Sequence, residues 1–300
     1  MALEIAKHDS CFEDIASKFF EHFIAISEAM TFNGDEDGAQ TSLWNDDEGF
    51  YFDAIQWGGS GSPQQIPVRS LVGLIPLYAT LTLEPSVLDR VPRFRSHLER
   101  FVNNRPEVSR RNMTVDGEGE RILLCLASKD RLVRILQKML DESEFLSDFG
   151  IRSQVFKLYR TVSLVADSTS YRLSKYHQRE PFSMNVDGET FGVEYWPGDS
   201  RSGMFGGNSN WRGPIWLATN FLLIESLQRY HQYYGNALQV ECPSGSGVYM
   251  NLANVAKEIQ RRIIGIFQSV DGRRPANGGN EKMDHDPNFK DLLLFHEVRV

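Results

Sequence analysis

Apolar residues return every three or four positions across segments much too long for strands, and this periodicity confines the chain to helix-rich folds. Phe12, Ile15, Ala16, Phe19, Phe20, Phe23, Ile24 and Ile26 keep that spacing and predict an amphipathic helix of about five turns. Residues 71–83 are nearly all apolar, too hydrophobic for a surface helix, and are expected to form an inner one. Phe94, Leu98 and Phe101 mark a helix over Pro92–Asn104. Leu132, Ile135, Leu136, Met139 and Leu140 mark another, with Asp130 as its expected N-cap. Residues 214–234 read as a long helix, Pro214 suiting its first turn and Gly235 its stop. Residues 251–270 follow with Leu252, Val255, Ile259, Ile263, Ile264 and Phe267.

The connections at 43–57, 185–210 and 273–288 are polar, Gly-rich and aromatic-rich. Phe50-Tyr51-Phe52 and residues 191–195 are candidates for short strands within them. Long helices joined by elaborate loops predict an all-α helical toroid, its loops gathered at one end as a binding face. The helices counted supply about half of what a closed ring of helical hairpins needs. An open ring leaves apolar edges exposed, and self-association through those edges is the expected consequence.

Charge and composition exclude several function classes. A formal charge of −8 argues against a nucleic-acid surface, which carries a basic excess. No apolar run approaches the roughly 20 residues of a membrane span, and residues 1–10 lack the pattern of a signal peptide. Cys11, Cys125 and Cys242 have no metal-ligand spacing and make no disulfide framework, which favours a reduced, cytoplasmic setting. The histidines form no zincin pattern, and no G-x-S-x-G elbow, P-loop or dinucleotide fingerprint occurs, so neither metal nor cofactor is expected.

Three stretches carry residues suited to chemistry. Gly203-Met-Phe-Gly-Gly-Asn-Ser-Asn-Trp-Arg-Gly-Pro-Ile-Trp216 combines close-approach glycines, directed donors at Asn208, Asn210 and Arg212, and flat apolar faces at Trp211 and Trp216. Sugar rings need that mixture, although a tight loop with a Trp packed under a helix start reads equally well. Leu43-Trp-Asn-Asp-Asp-Glu-Gly-Phe-Tyr-Phe-Asp53 interleaves four acidic residues with four aromatics. Trp44, Asp46 and Asp47 fit a carbohydrate subsite or a cation site; the alternative is a solvated turn between two strands. Glu297 follows an apolar run, where a half-buried carboxylate suits general-base work, while a solvated terminal acid is the alternative.

Taken with Val68-Arg-Ser-Leu-Val-Gly-Leu-Ile-Pro-Leu77, Leu222-Leu-Ile-Glu-Ser-Leu-Gln-Arg-Tyr230 and Asp291-Leu-Leu-Leu-Phe-His-Glu297, these stretches resemble the bacterial and fungal branch of glycoside hydrolase family 63. The resemblance runs over nearly the whole chain. It implies an (α/α)₆ barrel, here incomplete and with short strands in its loops, that hydrolyses terminal α-glucosidic bonds with inversion. It implies Glu297 as the base, with Trp44, Asp46, Asp47, Asn208, Asn210, Trp211, Arg212 and Trp216 around an oligosaccharide or small glucoside. The family's acid is an Asp in a Gly-Leu-Asp motif, which is missing here, so a truncated, weakly active or inactive copy is the expectation.

Residues 154–172 have no equivalent in the family pattern, and Val298-Arg299-Val300 replaces its continuation. Both are expected to be translated introns; a transcript retaining the codons for 154–172 in frame would exclude this. Two other readings are a catalytically inactive carbohydrate-binding module and a sugar epimerase. The epimerase needs a histidine pair, for which His177 and His231 are the candidates.

Overall fold

The computed structural model describes residues 2–31, 42–55, 64–66, 68–114, 120–153, 182–186, 189–193, 215–277 and 280–292. The chain opens with α1 (Ala2–Ala6) and the long α2 (Glu13–Thr31), followed by two small hairpins. In the first, β1 (Trp44–Asn45) pairs with β2 (Phe50–Tyr51); in the second, β3 (Ala54–Ile55) pairs with β4 (Gln64–Gln65). A 3₁₀ segment, Leu71–Tyr78, leads into β5 (Thr80–Leu83). Helices α3 (Pro85–Leu88), α4 (Pro92–Asn104) and α5 (Pro106–Asn112) precede β6 (Met113–Thr114) and β7 (Ile122–Cys125). Then come α6 (Lys129–Met139), β8 (Leu146–Ser147), β9 (Gly150–Ile151), β10 (Phe182–Val186) and β11 (Glu189–Val193). The last elements are α7 (Leu217–Tyr234), β12 (Gln239–Glu241), β13 (Tyr249–Asn251), α8 (Leu252–Gly265) and α9 (Glu281–His285).

This architecture corrects the expectation of an all-α toroid. Among the described residues the strands form six small antiparallel sheets, the largest ordered β5-β7-β6, so the fold is mixed α/β with helices in the majority. Residues 71–83 show why. Pro76 has no amide hydrogen, and its ring opposes a continuous α-helix, so Leu71–Tyr78 winds as 3₁₀ turns. The following Thr-Leu-Thr-Leu then pairs with β7 from Thr80↔Cys125 to Leu83↔Ile122. Four residues of Thr-Leu alternation at the end of a long apolar run are too few for period to separate a covered strand from the end of a buried helix.

Other expectations map closely. Helix α4 has the predicted bounds, and α2 begins at Glu13. Ser128, not Asp130, caps α6, accepting from Arg131 N at 3.4 Å. Asn251 caps α8 by accepting from Asn254 N at 2.9 Å, and Gly235 ends α7 at φ +55°. Phe50–Tyr51 is extended as expected, and the 191–195 candidate overlaps β11. Pro214 and the proposed insertion 154–172 lie outside the described residues.

The main core gathers Phe50, Leu74, Leu77, Leu132, Ile135, Phe145, Leu223, Leu227, Tyr230, Val255 and Ile259 between α6, α7, α8 and the first hairpin. Gly73 is required there: a Cβ would lie 2.2 Å from Phe50 Cε1 and 2.5 Å from the Tyr51 carbonyl oxygen. A second cluster holds Ala16, Phe20, Ile24, Val91, Phe94 and Leu98 between α2 and α4. Glu13, buried at the start of α2, accepts from Arg93 N at 2.7 Å and Phe94 N at 3.0 Å. It thereby caps α4, whose preceding residue Val91 makes no side-chain cap.

Candidate functional site

The first hairpin brings the acidic stretch together. The turn between Asn45 and Phe50 is fixed by Asn45, whose carbonyl accepts from Gly49 N and whose side chain accepts from Glu48 N. Gly49 adopts φ +63°, and a Cβ there would meet Arg134 Nε at 2.5 Å. Arg134 lies against the turn, donating to the Asp46 and Asp47 carbonyls.

Trp44 is buried, at 4% exposure, edge-to-face with Tyr51 at 5.0 Å between ring centroids. The Arg131 and Arg134 guanidiniums lie 4.9 and 5.6 Å from its ring, within cation–π range. Its indole N–H donates to Asp46 Oδ1 at 2.7 Å. The ring is already covered, and it serves as the floor of the hairpin. Burial pushes the Tyr51 phenol above its ordinary range, only partly offset by the nearby Arg131 charge.

The four carboxylates of this stretch differ sharply. Asp46 is held by the indole, and Glu48 pairs with Arg69, which also pairs with Glu144. Burial disfavours the Arg69 charge, but these two carboxylates prevail and hold its pKa above the usual value. Asp47 is exposed on the turn. Asp53 alone is half-buried with no donor to its carboxylate among the described residues, and burial raises its pKa above the ordinary range.

Backbone bonds tie the end of this hairpin to the other stretches. Ile66 N donates to the Asp53 carbonyl at 2.8 Å, and Gln65 links back to Asn45 and the Ser42 carbonyl. Leu71 N donates to the Ser153 carbonyl at 2.8 Å, joining the 68–77 segment to the end of Phe149-Gly-Ile-Arg-Ser153. Buried Asn220 on α7 completes the chain. Its Oδ1 accepts from Ile151 N at 2.8 Å, and its Nδ2 donates to the Ile151 and Trp216 carbonyls at 2.9 Å each. Asp53, Arg69, Ser70, Ser153 and Trp216 therefore belong to one laced region.

Of the predicted site residues, this region holds Trp44, Asp46, Asp47 and Trp216. Asn208, Asn210, Trp211, Arg212 and Glu297, like His177, lie outside the described residues. His231 sits on α7 with its Nδ1 buried. Asp53 and Asn220 were not singled out by sequence. Asp53 ends three consecutive aromatics, and Asn220 breaks the apolar rhythm of α7; those were the available signals.

A separate open groove of about 390 Å³ lies between β13 and α8, lined by Tyr249, Met250, Asn254, Lys257, Glu258 and Arg261. Its carboxylate is committed. Arg261 binds Glu258 through two bonds of 2.7 Å, Arg262 adds one of 2.8 Å, and these partners lower the Glu258 pKa to about 2. Among the described residues no cluster of His, Cys, Asp and Glu could hold a metal ion, and no helix is long and apolar enough to cross a membrane.

No family model matches the chain. It is 49% identical, over 311 aligned residues, to "Uncharacterized protein YMR196W" of Saccharomyces cerevisiae (strain ATCC 204508 / S288c). The alignment takes in 99% of this chain and 27% of that protein, so the chain spans about a quarter of the curated relative it matches.

Proposed function

We propose that this chain is a glycoside hydrolase that cleaves terminal α-glucosidic bonds of an oligosaccharide or small glucoside with inversion. The observation supporting this reading is the lacing of Asp53, Ser153 and Trp216 into one region through Ile66, Leu71 and Asn220. Glycoside cleavage with inversion uses a pair of carboxyl groups, and Asp53 supplies a half-buried carboxyl beside an aromatic stretch. The acidic net charge fits a neutral sugar better than a nucleic acid. The three free cysteines, of which Cys125 and Cys242 are buried, fit a reduced, cytoplasmic setting.

The test is incubation of the chain with aryl α-glucosides and α-glucosyl oligosaccharides, followed by proton NMR. Release of β-glucose as the first anomer is expected. Release of α-glucose removes inversion. Saturable binding without turnover moves the assignment to an inactive carbohydrate-binding module, the reading favoured by the absence of a Gly-Leu-Asp motif.

A further inference from the structure

Helix α2 carries apolar residues on two faces. Ala16, Phe20 and Ile24 pack toward α4, and Ser27 donates to Asn112 of α5. Phe12, at the entry to the helix, and Ile15, Phe19 and Ile26 lie off that face and stay exposed at 36, 46, 61 and 56%. Single exposed apolar side chains are ordinary, but four aligned along one helix are not. With exposed His22 and Ala29 they occupy positions 12, 15, 19, 22, 26 and 29, in alternating steps of three and four. That repeat is the seam that a second helix fills when it lies alongside at about 20°, side chains seated between side chains. Phe19 and His22 already meet edge-to-face at 6.5 Å along it.

The chemistry of the face narrows what covers it. A strand matches a period of two, and an anionic membrane surface asks for lysines and arginines beside the apolar stripe. The polar side of α2 instead carries Asp14, Lys18 and Glu21, with Lys18 bonded to Glu21 at 3.1 Å. A second copy of the chain fits less well, because one stripe of four large side chains falls short of the roughly 1,200–2,000 Å² that a stable dimer buries. A helix tethered in the same polypeptide needs less area, since its linker sets a high effective concentration. The yeast relative has the chain to supply one: it matches 99% of these residues at 49% identity with only 27% of its own length. We propose, independently of the glycosidase reading, that Phe12, Ile15, Phe19 and Ile26 seat an apolar-striped helix. That helix belongs to polypeptide equivalent to what the yeast relative carries outside the matched region.

Thiol labelling compares the 300-residue chain with a hybrid in which it replaces the matched region of the yeast protein. A Cys11→Ser background leaves only the buried Cys125 and Cys242. Maleimide should then label Phe19→Cys at least about tenfold more slowly in the hybrid than in the chain alone. Asp14→Cys, exposed on the polar side of the helix, should label at one rate in both. Equal Phe19→Cys rates in the two proteins overturn the proposal. Equal slowing at both positions overturns it as well, because the contact would not be the seam. Protection that vanishes on dilution gives the face to a second copy and overturns it too. Should the hybrid not melt cooperatively, hydroxyl-radical footprinting of the unaltered yeast protein decides. The counterparts of Ile15, Phe19 and Ile26 should then be as protected as those of buried Phe20 and Ile24, and oxidation at surface rates overturns the proposal.

Discussion

Helices α2 and α7 have nearly the same length, 19 and 18 residues, yet they are covered to different extents, with Phe221 and Leu222 the large apolar side chains that α7 leaves exposed. Helix α7 is buried along Asn220, Leu223, Leu227, Tyr230 and Tyr233, covered by α8, β5 and the 3₁₀ segment. Helix α2 sets Ala16, Phe20 and Ile24 against α4, while Ile15, Phe19 and Ile26 stay exposed at 46, 61 and 56%. Those three follow a four-seven spacing, so they line one continuous stripe. An apolar arc in a sequence therefore states how much surface a helix could bury. It does not state how much its neighbours cover.

The largest test of this contrast sits on the covered side. Arg262 on α8 is nearly buried, bonded to Glu258, Glu142 and the Ser147 carbonyl. Arg262→Ala should cost about 3–5 kcal/mol in denaturant unfolding, because a nearly buried side chain is removed, Glu142 and the Ser147 carbonyl lose their donor, and Glu258 is left with Arg261 alone. The variant should also blunt acid sensitivity. Glu258 has its pKa lowered from 4.5 to about 2, so its contribution is present above 4.5 and lost as pH falls from there through 2. A wild-type and variant pair with identical unfolding curves between pH 5 and pH 2 would contradict this.

Leu223→Ala on α7 should cost about 2–5 kcal/mol, against less than about 0.5 kcal/mol for Ile15→Ala on α2. Comparable values in the two helices would erase the distinction. Asn220→Ala is expected between these extremes, at about 1–3 kcal/mol, since it strands the Ile151 amide and two carbonyls in the interior. Hydrogen exchange at the Ile151 amide should accelerate in that variant; unchanged protection would show that the strand holds without it.

The smallest stability effect carries the sharpest readout. Phe19→Ser should change stability by less than about 0.5 kcal/mol while reducing any concentration-dependent self-association of the chain. Sedimentation velocity at rising concentration measures it. A chain that stays monomeric as wild type would show that the stripe on α2 is simply tolerated.

Much of this arrangement could be read from residues alone. The periods placed α2, α4, α6, α7 and α8, because each has a wide apolar stripe and an identifiable stop or cap. The 71–83 segment misled because its apolar run was taken as one helix, although Pro76 opposes a continuous one and the last four residues alternate and pair with β7. The first hairpin was visible as an aromatic run beside a Gly-containing turn. The partners of its acids were not, since Arg69, Arg131 and Arg134 reach Glu48, Trp44 and the turn from distant positions.

Asn220 has a chemical consequence of its own. Its amide is read in both directions, oxygen toward one backbone and nitrogen toward two. Exchanging that nitrogen for oxygen, as hydrolysis of the amide does, would keep the shape of the side chain while turning both donated bonds into oxygen–oxygen repulsion. The tether between Trp216 and the 150–153 turn thus depends on the identity of one atom, and ageing at that atom would release the turn without altering a single packing contact.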